Sequence, residues 1–339
     1  MHEALLWRVE DGRVHCHLCP HSCRIADGRR GVCGVRENRA GKLYALTYGQ
    51  VSSIAVDPIE KKPVFHYFPG TTALSIGSVG CTMRCEHCQN WQISRTKPGE
   101  DGLAEGLQHI EPATVVDMAE KYGCLGVAFT YNEPVIWIEY VLDTAKAAQA
   151  AGLYTVMVTN GFITAEGLDL IGPHIDVWRV DVKGFSDETY RGLCKVPSLQ
   201  PVLDQAERAK KHWQMHVEVV TNVIPTINDD EEQLRGIARW IREDLGPMTP
   251  WHVTRFFPYL ELSHLPPTPI ATLRRAREIG REEGLEFVYL GNIAEPGGED
   301  TECPGCGQTA VARDGYRVVE ARVREGACAH CGRPLGIVT

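Results

Sequence analysis

Three cysteines, Cys81, Cys85 and Cys88, stand in a C-x3-C-x2-C spacing within the segment GSVGCTMRCEHCQNW. Three thiolates this close can ligate three irons of a cubane cluster, leaving the fourth iron without a protein ligand and free to take a substrate or cofactor. An open iron implies chemistry rather than electron storage alone. At the cysteine frequency of this chain such a triple arises by chance about 0.02 times, against about half a time for a single C-x2-C. The competing reading of the same residues is a zinc knuckle completed by His87.

Eleven of the 13 cysteines fall in groups, which metal or cluster binding explains better than disulfides in a reducing compartment. Cys303 with Cys306, and Cys328 with Cys331, form two C-x2-C-G knuckles. Paired knuckles suit a tetrahedral four-thiolate site holding zinc, or a single rubredoxin-like iron able to pass electrons. Cys16, Cys19, Cys23 and Cys33 are spaced irregularly in CHLCPHSCRIADGRRGVC and fit zinc and an auxiliary iron–sulfur cluster equally. A cluster there would imply internal electron transfer, whereas zinc would imply only a folded lid. Cys124 and Cys194 stand apart and read as small buried apolar residues.

The scaffold that must position these groups alternates β-branched runs with helical stretches, the pattern of a parallel sheet with helical crossovers. Strands are expected over 72–79, 125–131, 153–159, 175–182, 215–223, 251–257 and 286–291. Helices are expected over 113–122, 135–151, 164–172, 201–212, 230–245 and 268–283. About six β/α units predict an α/β fold with a full or partial TIM-like (β/α) barrel over 43–293. A cysteine-rich N-terminal segment (1–42) precedes it, and a four-cysteine ribbon resembling a zinc ribbon or rubredoxin (294–339) follows. Each flank is too small to fold by burial alone, so a metal staple is its natural source of stability. In such barrels reactive residues come from the C-terminal strand ends. The polar residues falling there are Glu133, Asn160, Asp181, Lys183, Thr221, His252, Arg255 and Asn292. Asp181 and Lys183, two apart in a strand, share one face.

A formal charge of −9 offers no general electrostatic reason to bind nucleic acid or an anionic membrane. The N-terminal residues lack the apolar run of a signal peptide, and no run of about 18 apolar residues occurs, so a cytoplasmic location is the expectation.

The triad, with an aromatic before its last cysteine (here His87), resembles the signature of the radical S-adenosylmethionine (SAM) superfamily. DPIEKKPVFHYFPG (57–70), QNW after the triad, FTYNEP (129–134), DVKGFSDETY (181–190), VIPTIND (223–229), PWHVTRFFP (250–258) and VYLGN (288–292) narrow the resemblance. They are similar to the radical SAM member of the AmmeMemoRadiSam group, itself related to pyruvate formate-lyase activating enzymes. The resemblance spans nearly the whole chain.

It implies a [4Fe–4S] cluster on Cys81, Cys85 and Cys88. Reduced by an external donor of the flavodoxin or ferredoxin type, the cluster would cleave SAM to a 5′-deoxyadenosyl radical that abstracts a substrate hydrogen. In resembling proteins the residue matching Glu133 contacts the methionine amine and the Asp-x-Lys strand, here Asp181 and Lys183, helps hold the methionine end. Asn160 suits ribose or methionine contact, Val223 with Ile224 an adenine slot, and His252 and Arg255 the substrate or the SAM carboxylate. Relatives commonly carry Gly-Gly-Glu where this chain has Tyr131-Asn132-Glu133. The group name further implies Memo-type and Amme-type proteins as partners. A glycyl-radical activating enzyme is the rival within the superfamily, and an electron-transfer or structural-metal protein the rival of another class.

Overall fold

The computed structural model describes residues 2–99 and 106–339. Its central elements follow the expected alternation. The strands are β1 (Ser53–Pro58), β2 (Thr72–Gly77), β3 (Gly126–Phe129), β4 (Tyr154–Thr159), β5 (Val177–Asp181), β6 (His216–Val223), β7 (Trp251–Arg255) and β8 (Val288–Gly291). From β2 onward they alternate with helices α1 (Pro112–Lys121), α2 (Ile138–Ala150), α3 (Ala165–Ile171), α4 (Gln200–Lys211), α5 (Glu231–Trp240) and α6 (Ile270–Glu282). In each unit the strands pair side by side, parallel in β2-β3-β4 and in β6-β7-β8, so the α/β class is as the sequence predicts. Strand ends agree to within a few residues. β1 was not anticipated from the hydrophobic pattern.

The chain divides into two compact units, Met1–Asp57 with Thr72–Trp178 and Gln200–Met215, and Pro58–Thr71 with Arg179–Leu199 and His216–Thr339. In the first, the strand order is β1-β2-β3-β4, with Gly126 beside both Ala73 and Tyr154 in parallel register. In the second, the order is β5-β6-β7-β8, with Val219 beside Trp251 and Trp251 beside Val288. β3 is buried along its whole length, as expected of a parallel strand covered on both faces. Helix starts are capped by side chains: Thr164 accepts from Gly167 N (3.1 Å) and Asp230 from Gln233 N (2.9 Å).

Residues 1–42 show little periodicity, yet they fold into short antiparallel strands. Trp7–Glu10, Arg13–Cys16 and Arg24–Ile25 form one three-stranded sheet, and His2–Glu3, Lys42–Ala45 and Arg36–Arg39 another. Strands of two to four residues are too brief to display a period of two. The C-terminal ribbon is likewise packed into its unit, since Cys303, Ala310, Val311, Cys328, Leu335 and Ile337 share one apolar cluster with Phe65, Phe287 and Tyr289. Arg313, buried over the Phe65 ring at 4.1 Å, donates to Phe65 O (2.8 Å) and lies 3.6 Å from the Glu60 carboxylate. Cys124 and Cys194 are buried, as expected of small apolar residues.

The second unit is organised around Glu218, which is 0% exposed. Its carboxylate accepts from the backbone N–H groups of Phe65 and His66 (both 2.8 Å), from His216 Nε2 (2.9 Å) and from His252 Nε2 (2.6 Å). Burial alone would raise its pKa, but the donors from His216 and His252 hold it well below the ordinary value. Nearby, His66 Nδ1 donates to Leu335 O (3.0 Å) while Nε2 accepts from the Tyr289 hydroxyl (2.6 Å). Burial pushes the His66 pKa down to about 3, so this ring is neutral in the fold. The unfolded chain therefore binds more protons than the folded one as pH falls below His66's ordinary value of 6.5. Stability is expected to decline by about 1 kcal/mol per pH unit between about pH 6.5 and 4.5. Thermal melts across this range check it, and His66→Gln should be less stable at pH 7.5 but lose less on acidification.

Candidate active site

The triad loop follows β2 directly, and its geometry is set by residues on every side. Gly80 sits at φ +89°, and a Cβ there would lie 2.7 Å from Val35 and 2.9 Å from Cys33 O, so only glycine fits. Asn132 Nδ2 donates to Gly80 O on one side of the loop and to Ile93 O (3.4 Å) on the other. Arg84, inside the triad, donates to Cys81 O (3.2 Å), Met83 O (3.1 Å) and Val32 O (2.9 Å). Asn132, in Tyr131-Asn132-Glu133, thus serves as a brace for the cysteine loop.

Glu133 and Asn160 meet the triad. Glu133 is 3% exposed, and its carboxylate accepts from Val135 N (3.0 Å), Thr159 Oγ1 (2.7 Å) and Asn160 N (2.9 Å). Asn160 Nδ2 in turn donates to Thr82 Oγ1 (3.0 Å) and reaches Cys81 Sγ at 3.6 Å, while Met83 N reaches the same sulfur at 3.4 Å. Burial, and next the Glu133 charge, push the Cys81 thiol far up, so the free thiol is neutral and a bound metal must displace its proton. Cys88 Sγ contacts Ser94 Oγ at 3.3 Å. Glu133 and Asn160 follow β3 and β4, as barrel logic places reactive residues. Thr159, Thr82 and Asn132 were missed, because hydroxyl and amide side chains carry no spacing signal of their own.

The second unit carries the other predicted residues. Asp181, the last residue of β5, accepts from Arg179 Nη1 (2.5 Å) on its own strand face and from Lys183 Nζ (2.9 Å), two residues beyond the strand's observed end. Arg179 was legible by the same period but not noticed. Thr221 is buried, and its hydroxyl accepts from Trp251 Nε1 (3.0 Å); Val223 and Ile224 are also fully buried. His252 requires correction: it is 2% exposed, bonded to Glu218 and stacked on Tyr289 at 5.1 Å, so it supports the interior instead of reaching a ligand. It lies three positions from Arg255 and faces the opposite side of β7. Arg255 Nε donates to Thr268 O (2.9 Å), with its guanidinium over Phe257 at 5.2 Å. Asn292 Nδ2 donates to Arg255 O (3.2 Å).

The two cysteine flanks differ in geometry. Cys303, Cys306, Cys328 and Cys331 bring their sulfurs within 4.8 Å of one another, with 3.5 Å between Cys303 and Cys331 and 3.9 Å between Cys306 and Cys328. Tetrahedral bonds of about 2.3 Å to one ion place sulfurs roughly 3.8 Å apart. Backbone N–H groups of Cys331 and His330 bring the Cys328 thiol down to about 7, readying it as a thiolate. Among the described residues the only other such compact group is Glu10, His15 and His17. The triad is not among these compact groups. Its sulfur-directed donors from Asn160 and Met83 fit a cluster.

Residues 75–239 match the model of the Radical SAM superfamily. The uncharacterized protein MJ0808 of Methanocaldococcus jannaschii is 41% identical over 341 residues, covering 100% of both chains. This chain carries a radical SAM superfamily domain. The pyruvate formate-lyase 1-activating enzyme of Escherichia coli is 26% identical to this radical SAM protein over 185 residues, 54% of this chain and 72% of the relative. Among solved structures, a radical SAM methyltransferase from Sphaerobacter thermophilus aligns with TM-score 0.49 and 14% identity over 66% of this chain and 67% of its own. No helix among the described residues is long and apolar enough to cross a membrane.

The bond from Thr159 to Glu133 is testable alone. Thr159→Val removes a donor to a buried carboxylate and is expected to cost about 1.5–3 kcal/mol in denaturant melts, whereas Thr159→Ser should stay near wild type.

Proposed function

We propose that this chain reductively cleaves SAM at a [4Fe–4S] cluster held by Cys81, Cys85 and Cys88, and uses the product radical to abstract hydrogen from a substrate. The observation that carries the reading is the convergence of the triad loop, Glu133 and Asn160 around Cys81, inside the matched family region. When bound and reduced, the cluster supplies one electron to the SAM sulfonium, giving methionine and a deoxyadenosyl radical.

The protein's own part is positioning. Glu133, oriented by donors that include Val135 N, Thr159 Oγ1 and Asn160 N, would offer its carboxylate to the amine of SAM. Asn160 braces Cys81 and lies where a ribose or methionine group would meet the strand end. Asp181 and Lys183 form a charged pair at the end of β5 suited to a carboxylate such as that of methionine, whereas Val223 and Ile224, proposed from sequence for adenine, are fully buried. Arg255 ends β7 as a further anion partner. The strands and helices from 43 to 293 form the barrel in this reading, with 1–42 and 294–339 as metal-bearing appendages. The C-terminal quartet holds zinc, whose bond lengths its sulfur separations match, although iron shares that geometry.

The electron comes from an external flavodoxin- or ferredoxin-type donor, and the location is cytoplasmic. Within the superfamily the motifs favour the AmmeMemoRadiSam type, with Memo-type or Amme-type proteins as partners. The second reading, activation of a glycyl-radical enzyme, is supported by the 26% identity to the Escherichia coli activase.

Anaerobic reconstitution followed by dithionite reduction and assay for 5′-deoxyadenosine tests the activity. Wild type should form it, Cys85→Ala should not, and Glu133→Gln should bind SAM about 10–100-fold more weakly at unchanged iron content. A fully loaded wild-type cluster that forms none would overturn the proposal.

A further inference from the structure

Cys16, Cys19, Cys23 and Cys33 remain unused by the proposed chemistry. The structure brings all four to the wall of one cavity, together with Leu18, Ile25, Ile136 and Arg36. Cys16, Cys19 and Cys33 are buried and Cys23 is half-buried. Yet among the described residues no three of these sulfurs lie mutually within 4.8 Å, unlike the C-terminal quartet and like the triad. One ion cannot span thiolates so placed, whereas a cubane puts each thiolate on a different iron.

Arg36 supplies a second, independent observation. It is 1% exposed, and only its Nη2 is engaged, donating to Leu5 O (2.5 Å) and Glu139 Oε1 (2.7 Å). Its Nε and Nη1 are buried without a hydrogen-bond partner. Unsatisfied buried donors of a guanidinium are costly and call for an acceptor. A cluster with four thiolate ligands carries net negative charge and bears sulfurs that accept such N–H groups.

We infer that Cys16, Cys19, Cys23 and Cys33 ligate an auxiliary [4Fe–4S] cluster, with Arg36 directing its free N–H groups and charge at it. The cavity lies against the triad loop. His21 Nε2 bonds to Thr82 O (2.6 Å), Arg84 links Cys81 O to Val32 O, and Cys33 packs with Val79 and Ile136. The auxiliary cluster therefore serves as a one-electron station. It goes from the 2+ to the 1+ state by taking an electron from a low-potential flavodoxin- or ferredoxin-type donor, and returns to 2+ as the triad cluster is reduced. This role rests on the radical SAM reading; the site itself does not.

The test uses the full chain, reconstituted anaerobically with iron and sulfide. Wild type should hold about eight irons and eight sulfides with one zinc. The variant Cys81→Ala/Cys85→Ala/Cys88→Ala should keep about four of each with a [4Fe–4S] Mössbauer signature, and lose deoxyadenosine formation. In that background Arg36→Lys, which keeps a cation beside Glu139 but withdraws donors from the cavity, should lower the cluster's midpoint potential. Iron limited to about four per wild-type chain with two zinc ions, or a triad-less chain that folds but holds zinc alone, would overturn the inference and leave the SAM reading standing. Both clusters present with no SAM cleavage would do the reverse.

Discussion

A carboxylate placed beside the Cys81 thiol in a dry interior must be surrounded by donors, and Glu133 meets that constraint in a way that fixes everything near it. Its three donors come from the start of the next helical turn, from the end of β4 and from the backbone of Asn160. Because Asn160 also reaches Cys81 and Thr82, satisfying one buried charge sets the spacing between two strand ends and the cysteine loop. The same device recurs at Glu218 in the second unit and at Glu139, whose partner Arg36 borders the N-terminal cysteines. Buried carboxylates act here as the pins of the architecture.

Much of this was legible in the sequence because it is periodic or combinatorial. The β/α alternation shows as runs of β-branched residues, the triad as an improbable spacing, and Asp181 with Lys183 as a two-residue repeat. What escaped was of a different physical kind. β1 and the N-terminal strands are too short or too irregular to announce themselves, and Thr159, Thr82 and Asn132 act through one or two local hydrogen bonds that any surface residue of the same type would mimic. His252 was misjudged because a histidine at a strand end looks alike whether it meets a ligand or a buried glutamate, and Glu218 lies 34 positions away.

Cysteine spacing told which thiols belong together but not how far apart they sit. Both flanking sets contain C-x2-C pairs, and one closes to sulfur separations of 3.5 and 3.9 Å while the other lines a cavity together with Arg36. The chain between the ligands makes that difference: tight C-x2-C-G turns with backbone N–H groups aimed at sulfur in the C-terminal ribbon, and a loop tied to the triad by His21 and Arg84 at the N-terminus.

The account stands on an iron at the triad that is open to SAM. Electron–nuclear double resonance on the reduced, reconstituted protein with SAM carrying 15N in its amino group addresses that iron directly. A 15N coupling to the cluster, lost in Glu133→Gln or strongly weakened there, is the predicted result. A full triad cluster with SAM bound but no nitrogen coupling would contradict the central claim.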